Sequence, residues 1–396
     1  MVDVATALTL LLAGLASFFM AWTIGAGSSG STPFAPAVGA NAVSVMRAGF
    51  LVGLCCLLGA IFQGANVSEA VGEELIEGVT LTPEAATVAL TLAAVLVAVG
   101  IFTGYPIATA FTVTGAVIGV GFGMGGDPAW GKYLEIATLW TLTPFVGGAI
   151  AYLVARALRE EPLPERHLVL GLAAMMGGLL ANIEFVFLGP DDGASTVSLT
   201  IGGWLPGSTA LGATLVTVVI AGGCAGLLRW DMQRGVTTAE RHFLLALGAL
   251  VAFSAGGSQV GLAVGPLVPL SADVGLTLTA LLVGGGVGLL VGAWTGAPRM
   301  IKAISQDYSS LGPRRSIAAL IPSFAIAQVA IHYGIPVSFN QIVVSAIIGS
   351  GYAAVTTGGG VSRRKVGYTI LAWTLSLAGA IVIGFAAYRG LAGLFG

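Results

Sequence analysis

Hydroxyl and amide side chains recur in short stretches where nearly everything else is apolar. One stretch holds Ser28, Ser29, Ser31 and Thr32, and another holds Ser258 and Gln259. Two more hold Thr109, and Ser338 with Asn340 and Gln341. None of these segments contains an Arg or a Lys. Such groups donate and accept hydrogen bonds without carrying charge, so the chemistry they suit is reversible binding of a polar solute. The competing reading is that hydroxyls in apolar helices bond back to their own backbone or hold helices together. Covalent catalysis is not indicated, because no Ser–His constellation stands out and no His-Glu-x-x-His metal motif is present. Cys55, Cys56 and Cys224 sit in apolar runs without metal-ligand spacing and read as small hydrophobes.

The elements that would position these residues must live in lipid. Of 396 residues, 56% are hydrophobic and 9% charged, and the net charge is -2. A soluble domain needs roughly 25% charged residues to cover its surface. The composition excludes a cytosolic enzyme, a disordered chain and a nucleic-acid binder, which would need a basic stripe. The 60 glycines fit membrane helices, where they allow close backbone approach and helix breaks. Apolar runs long enough for spans are Ala5–Ile24, Val43–Phe62, Ala85–Thr103, Ile107–Met124, Ile136–Leu158, His167–Leu188, Ser208–Leu228, His242–Val268, Leu276–Trp294, Ile317–Tyr333, Val337–Val355 and Val366–Tyr388. Some read as paired half-helices, giving ten to twelve segments. Ala5–Ile24 is too long for a signal peptide and lacks a basic start, so it reads as a retained span.

Charges fall between the runs. Basic loops lie around Arg156 to Arg166, Arg229 to Arg241, Arg299 to Arg315, and Arg363 to Lys365. The loop carrying Glu69, Glu73, Glu74, Glu77 and Glu84 has no basic residue. Positive-inside bias places the basic loops in the cytoplasm and the acidic loop outside. Glu184 reads as interfacial, and His332 lies near the Gly334-Ile335-Pro336 break.

The chain matches itself at an offset of 230. Gly27-Ser28 pairs with Gly257-Ser258, Pro106 with Pro336, and Gly119 with Gly349. A Trp-Thr-Leu triplet recurs at Trp140 and Trp373, three residues further out of phase. Two halves with interrupted apolar segments in corresponding places point to a secondary transporter, because irregular backbone at membrane depth survives only beside protein or water. The expected organisation is a first repeat over 1–158, a connecting region with additional spans over 159–239, and a second repeat over 240–396.

These segments resemble the inorganic phosphate transporter (PiT) family. Its Gly-Ala-Asn-Asp-Val-Ala-Asn motif corresponds to Ala26-Gly27-Ser28-Ser29-Gly30-Ser31-Thr32, and in the second half to Gly256-Gly257-Ser258-Gln259-Val260-Gly261-Leu262. Its Gly-x-Pro-Val-Ser-Thr-Thr-His element corresponds to Gly104-Tyr105-Pro106-Ile107-Ala108-Thr109-Ala110-Phe111 and to Gly334-Ile335-Pro336-Val337-Ser338-Phe339-Asn340-Gln341. The likeness covers nearly the whole chain apart from about 160–241. It departs where the family has Asn-Asp pairs, here Ser28-Ser29 and Ser258-Gln259, so both carboxylates are missing.

The resemblance implies an all-α polytopic membrane protein of the cell membrane, built of two inverted repeats with broken helices. It implies alternating-access transport of inorganic phosphate, with Ser28, Ser29, Thr32, Thr109, Ser258, Gln259, Ser338, Asn340 and Gln341 as substrate-binding residues, and a homodimer. Sulfate or another oxyanion is the close alternative, and a non-transporting membrane sensor the alternative of another class. No cofactor is expected, and sodium, which the family's carboxylates help to bind, is in doubt. Two carboxylates at ~6 Å from an anion, at an effective dielectric of ~20, would each oppose it by roughly 2.8 kcal/mol. Their loss favours the anion and weakens a sodium site, which would keep only neutral oxygens.

Overall fold

The computed structural model describes residues 4–103, 106–160, 164–189, 194–271, 275–353 and 361–395. Gly104 and Tyr105 of the first Gly-x-Pro element lie outside them. The first half runs α1 (Val4–Gly27), α2 (Ala35–Gly39), α3 (Val45–Gln63), α4 (Ala65–Glu73), α5 (Pro83–Thr103), α6 (Thr109–Gly123) and α7 (Trp130–Glu160). A connecting region follows: α8 (Glu165–Ala181), α9 (Val197–Gly202) and α10 (Thr209–Arg234). The second half runs α11 (Val236–Val264), α12 (Val268–Ser271), α13 (Leu278–Thr295), α14 (Ala297–Asp307), α15 (Pro313–His332), α16 (Phe339–Tyr352) and α17 (Arg363–Phe395). The strands are two-residue pairs that pin loops, β1 (Ile76–Glu77) on β2 (Asp127–Pro128) and β3 (Glu184–Phe185) on β4 (Ser195–Thr196). Nine of the described helices are long and apolar enough to cross a membrane.

Each of the twelve apolar runs contains a helix, with two corrections. The run His167–Leu188 stops being helical at Ala181. There the Asn182 side chain donates to the Gly178 carbonyl at 2.7 Å and accepts from Ser198 Oγ at 2.8 Å, diverting the chain into the β3–β4 pair. The second correction concerns the matched breaks. The first half does break, since α1 ends at Gly27 and residues 28–34 are turns. In the second half α11 continues as helix through Gly256, Gly257, Ser258 and Gln259 to Val264. The glycines there serve packing: a Cβ on Gly256 would collide with the Cys56 carbonyl of α3, and one on Gly59 with the Phe253 carbonyl of α11.

The halves interlock by exchange. Helix α1 packs on α13 of the other half, and α11 on α3; α6 packs on α17, and α16 on α7. The closest points obey the same exchange. Gly119 of α6 sits against the Ile381 carbonyl of α17, and Gly349 of α16 against the Gly148 carbonyl of α7. Small residues at such crossings let lipid-embedded helices gain packing that lipid tails cannot provide.

Helix direction inverts between the halves. One face carries the Glu74–Lys132 ion pair at 2.6 Å, the β1–β2 pair, and Glu184 beside His332 at 3.2 Å. The opposite face carries Arg314–Glu165 at 2.5 Å and Lys365–Asp307 at 3.1 Å. Helix α7 starts at the acidic face and ends beside Arg314, where Arg159 and Arg314 share a cavity. Helix α17 starts at Lys365 and brings Tyr388 back to Gly123, close to the acidic-face strands.

Candidate functional site

Helices α6 and α16 are too short to span. At 15 and 14 residues they cover about 22 and 21 Å, against ~30 Å of hydrocarbon. Each is anchored by its C-terminal end to one face, α6 to the acidic face through Gly121 against Ile76, and α16 to the basic face through Gly351 against Ser309. Their N-termini therefore end inside the membrane, side by side and pointing opposite ways. Proline explains the starts. The chain enters each helix through extended residues after Pro106 and Pro336, and neither N-cap, Ala108 or Ser338, receives a side-chain bond. The first N–H groups of both helices have no partner within their own helix, and both macrodipoles direct positive potential at this point.

Gln259 links the elements. Its Oε1 accepts from Thr109 Oγ1 at 2.7 Å and from Ser28 Oγ at 3.2 Å, and Thr109 Oγ1 also lies 3.3 Å from Ser28 Oγ. Its Nε2 donates to the Val337 carbonyl. Asn340 makes the matching contact across the repeat, with Nδ2 donating to the Ile107 carbonyl at 2.6 Å and to the Gly27 carbonyl at 3.1 Å. Ile107 and Val337 are the residues after the two prolines, so each proline corner is held by one side-chain amide. Ser28, Thr109, Ser258, Gln259 and Ser338 have no solvent exposure. The arrangement is occluded from both faces.

Ser28, Thr109 and Gln259 are thus joined by side-chain hydrogen bonds, and Asn340 reaches the backbone carbonyls next to Ser28 and at the first proline corner. Ser258 precedes Gln259 and Ser338 caps α16, and their hydroxyls, with Asn340 Oδ1, are buried without any partner. A buried polar atom left unpaired costs about 1–3 kcal/mol, so unpaired atoms on the residues that adjoin Gln259 and start α16 suit a site that takes a polar ligand. Ser29 and Thr32 behave otherwise. Ser29 Oγ bonds back to the Ile24 carbonyl at 3.4 Å, and Thr32 Oγ1 to the Ser28 carbonyl at 3.0 Å, as does Ser31 Oγ at 3.2 Å. They shape the turn after α1. Gln341 points away: Nε2 donates to the Trp140 carbonyl at 2.7 Å, and the side chain lines an apolar cavity between α7, α16 and α17.

Two residues that matter escaped assignment from sequence. Trp140 Nε1 donates to the Pro336 carbonyl at 2.7 Å, and Trp373 Nε1 to the Pro106 carbonyl at 2.8 Å. Each half holds the other half's proline corner with an indole. The recurring Trp-Thr-Leu triplet was the available signal. A second amide pair, Gln63 with Gln328, joins α3 to α15 at 3.1 Å, and Gln328 also reaches Ser254 at 2.7 Å.

Comparison with known proteins follows the same lines. A candidate phosphate permease of Pyrococcus furiosus is 25% identical over 98% of this chain and 97% of its own length. Another from Thermococcus kodakarensis is 25% identical over 94% of this chain and 95% of its own. The solved structure titled "The sodium-dependent phosphate transporter" superposes with a TM-score of 0.78, at 21% identity, over 97% of this chain and 98% of that one, which shows a shared fold. The profile of the phosphate transporter family matches residues 7–384, and the chain belongs to that family.

Proposed function

We propose that this protein carries inorganic phosphate across the membrane by alternating access, with the anion held where the N-termini of α6 and α16 meet beside Gln259. The observation that carries this reading is the convergence of two counter-directed half-helix N-termini on one buried, uncharged cluster. Free N–H groups and two positive dipole ends suit an oxyanion. The Ser28 and Thr109 hydroxyls, now spent on Gln259 Oε1, can turn to the anion. With no Arg in the cluster, the hold stays weak enough for release, where a bidentate guanidinium would bind strongly. The repeats over 1–158 and 240–396, joined by 159–239, exchange helices, so each moving body draws helices from both, and a homodimer belongs to the same proposal.

Selectivity follows from the acceptors. Phosphate near neutral pH keeps a P–OH proton, whereas sulfate has none. Asn340 Oδ1 is a buried acceptor without a donor, and a site built to accept from a ligand hydroxyl discriminates strongly against an analogue lacking it. Sodium, if carried, would rest on neutral oxygens alone (Ser258 Oγ, Ser338 Oγ, Asn340 Oδ1) and be held weakly. Uptake of labelled phosphate into proteoliposomes tests the reading, with sodium or choline outside and sulfate as competitor. Saturable uptake that excess sulfate leaves intact is expected. Absence of uptake under every sodium and proton gradient would refute it.

A further inference from the structure

A cavity of about 980 Å3 opens between α7, α16 and α17, beside but separate from the Gln259 cluster. Its walls are chiefly apolar, with Phe145, Ile348, Ile370 and Leu377 among them. Its inner end is closed by Trp373 and by Phe111, which stacks on Trp140 with ring centroids 3.8 Å apart. Along α17 it extends from Leu377 to Val366, about 17 Å of helix. That is close to the hydrocarbon depth of one leaflet, half of ~30 Å. The outer end, at Val366 and Tyr352, lies at the basic face. Arg363, one turn before Val366 on the same stripe, is exposed there with Arg364.

We propose that this cavity binds an anionic phospholipid, with an acyl chain filling the apolar space and the headgroup phosphate resting on Arg363 and Arg364. An apolar space of this size in a membrane is a poor home for water. Its length suits a chain entering from one leaflet, and the charge at its mouth suits an anionic head. A second copy of this chain is disfavoured as occupant. Symmetric copies in one membrane share the same upright axis, so the two basic mouths would face each other. The chain end would abut Trp140 and Trp373, the indoles that hold Pro336 and Pro106. Lipid occupancy would therefore brace both proline corners without touching the anion.

The test uses the full chain in phosphatidylcholine nanodiscs. A small fraction of phosphatidylglycerol carries a photoreactive diazirine at its acyl end; a parallel sample carries the same group on phosphatidylcholine. Labelled residues are mapped by mass spectrometry. Phosphatidylglycerol should label Phe111, Trp140 or Trp373 about fivefold more than phosphatidylcholine does. Outward-facing Leu142 and Val382 should label equally with both. Arg363→Gln with Arg364→Gln should erase the preference, and Thr374→Phe, which fills the cavity from an exposed position, should remove the inner label. Equal inner labelling by both lipids, no inner labelling by either, or a cross-link joining two copies through α7 and α17 would each overturn the proposal. The readout is independent of transport, so it stands or falls apart from the assignment of the anion site.

Discussion

At the scale of single residues, the proposed site turns on Gln259. It stands where the related family motif has a carboxylate, and it satisfies two hydroxyls and a backbone carbonyl at once. Gln259→Asp would place a charge beside the anion, opposing it by roughly 2.8 kcal/mol, about a hundredfold in affinity. Phosphate uptake by that variant should fall about that far in choline and recover in part with sodium, a dependence that uptake assays read directly. Thr109→Val removes the shorter of the two hydroxyl bonds to Gln259. The expected cost is about 1 kcal/mol, or fivefold in KM, with folding unchanged. Sequence alone made Ser28, Thr109, Gln259 and Asn340 visible, because they are polar residues in the two pairs of matched motif segments. It could not separate them from Ser29 and Thr32, which have the same chemistry. Only the turn after Gly27 decides that those side chains fold back onto the Ile24 and Ser28 carbonyls.

At the scale of elements, the short helices and their clamps carry the argument. Removing the indole N–H with Trp140→Phe or Trp373→Phe should loosen a proline corner in each case. Because the contacts are reciprocal, the two variants should lose uptake to similar extents; a large effect from one and none from the other would break the proposed equivalence. Gly349→Leu forces α16 away from the Gly148 carbonyl. Overpacking of this kind costs about 1–3 kcal/mol, so a lower melting temperature in detergent is expected. The long helices were legible from apolar run length, but the runs Ile107–Met124 and Val337–Val355, read as candidate spans, hold only the 15-residue α6 and the 14-residue α16 because the chain stays extended after Pro106 and Pro336. The continuity of α11 was not legible. A Gly-Gly-Ser sequence reads equally as a break or as a close crossing, and only the approach of Cys56 and Gly59 selects the second.

At the scale of the whole molecule, two inverted, helix-exchanging halves meet at an occluded centre, and the described ion pairs sort onto opposite faces. Glu74→Cys and Asp307→Cys, introduced singly, should react with an impermeant maleimide from opposite sides of sealed vesicles. The repeat marked two related halves and the family resemblance implied their inversion, while the exchange of helices between halves needed the packing of α1 on α13 and α11 on α3. The most direct test of the central claim is equilibrium binding of labelled phosphate to the purified full chain, comparing wild type with Gln259→Ala at equal folded fraction. Saturable binding that sulfate does not displace, reduced tenfold or more by the substitution, is the expected result. Binding that survives Gln259→Ala unchanged, or that sulfate displaces as readily as phosphate does, would contradict a site centred on Gln259 between the two half-helices.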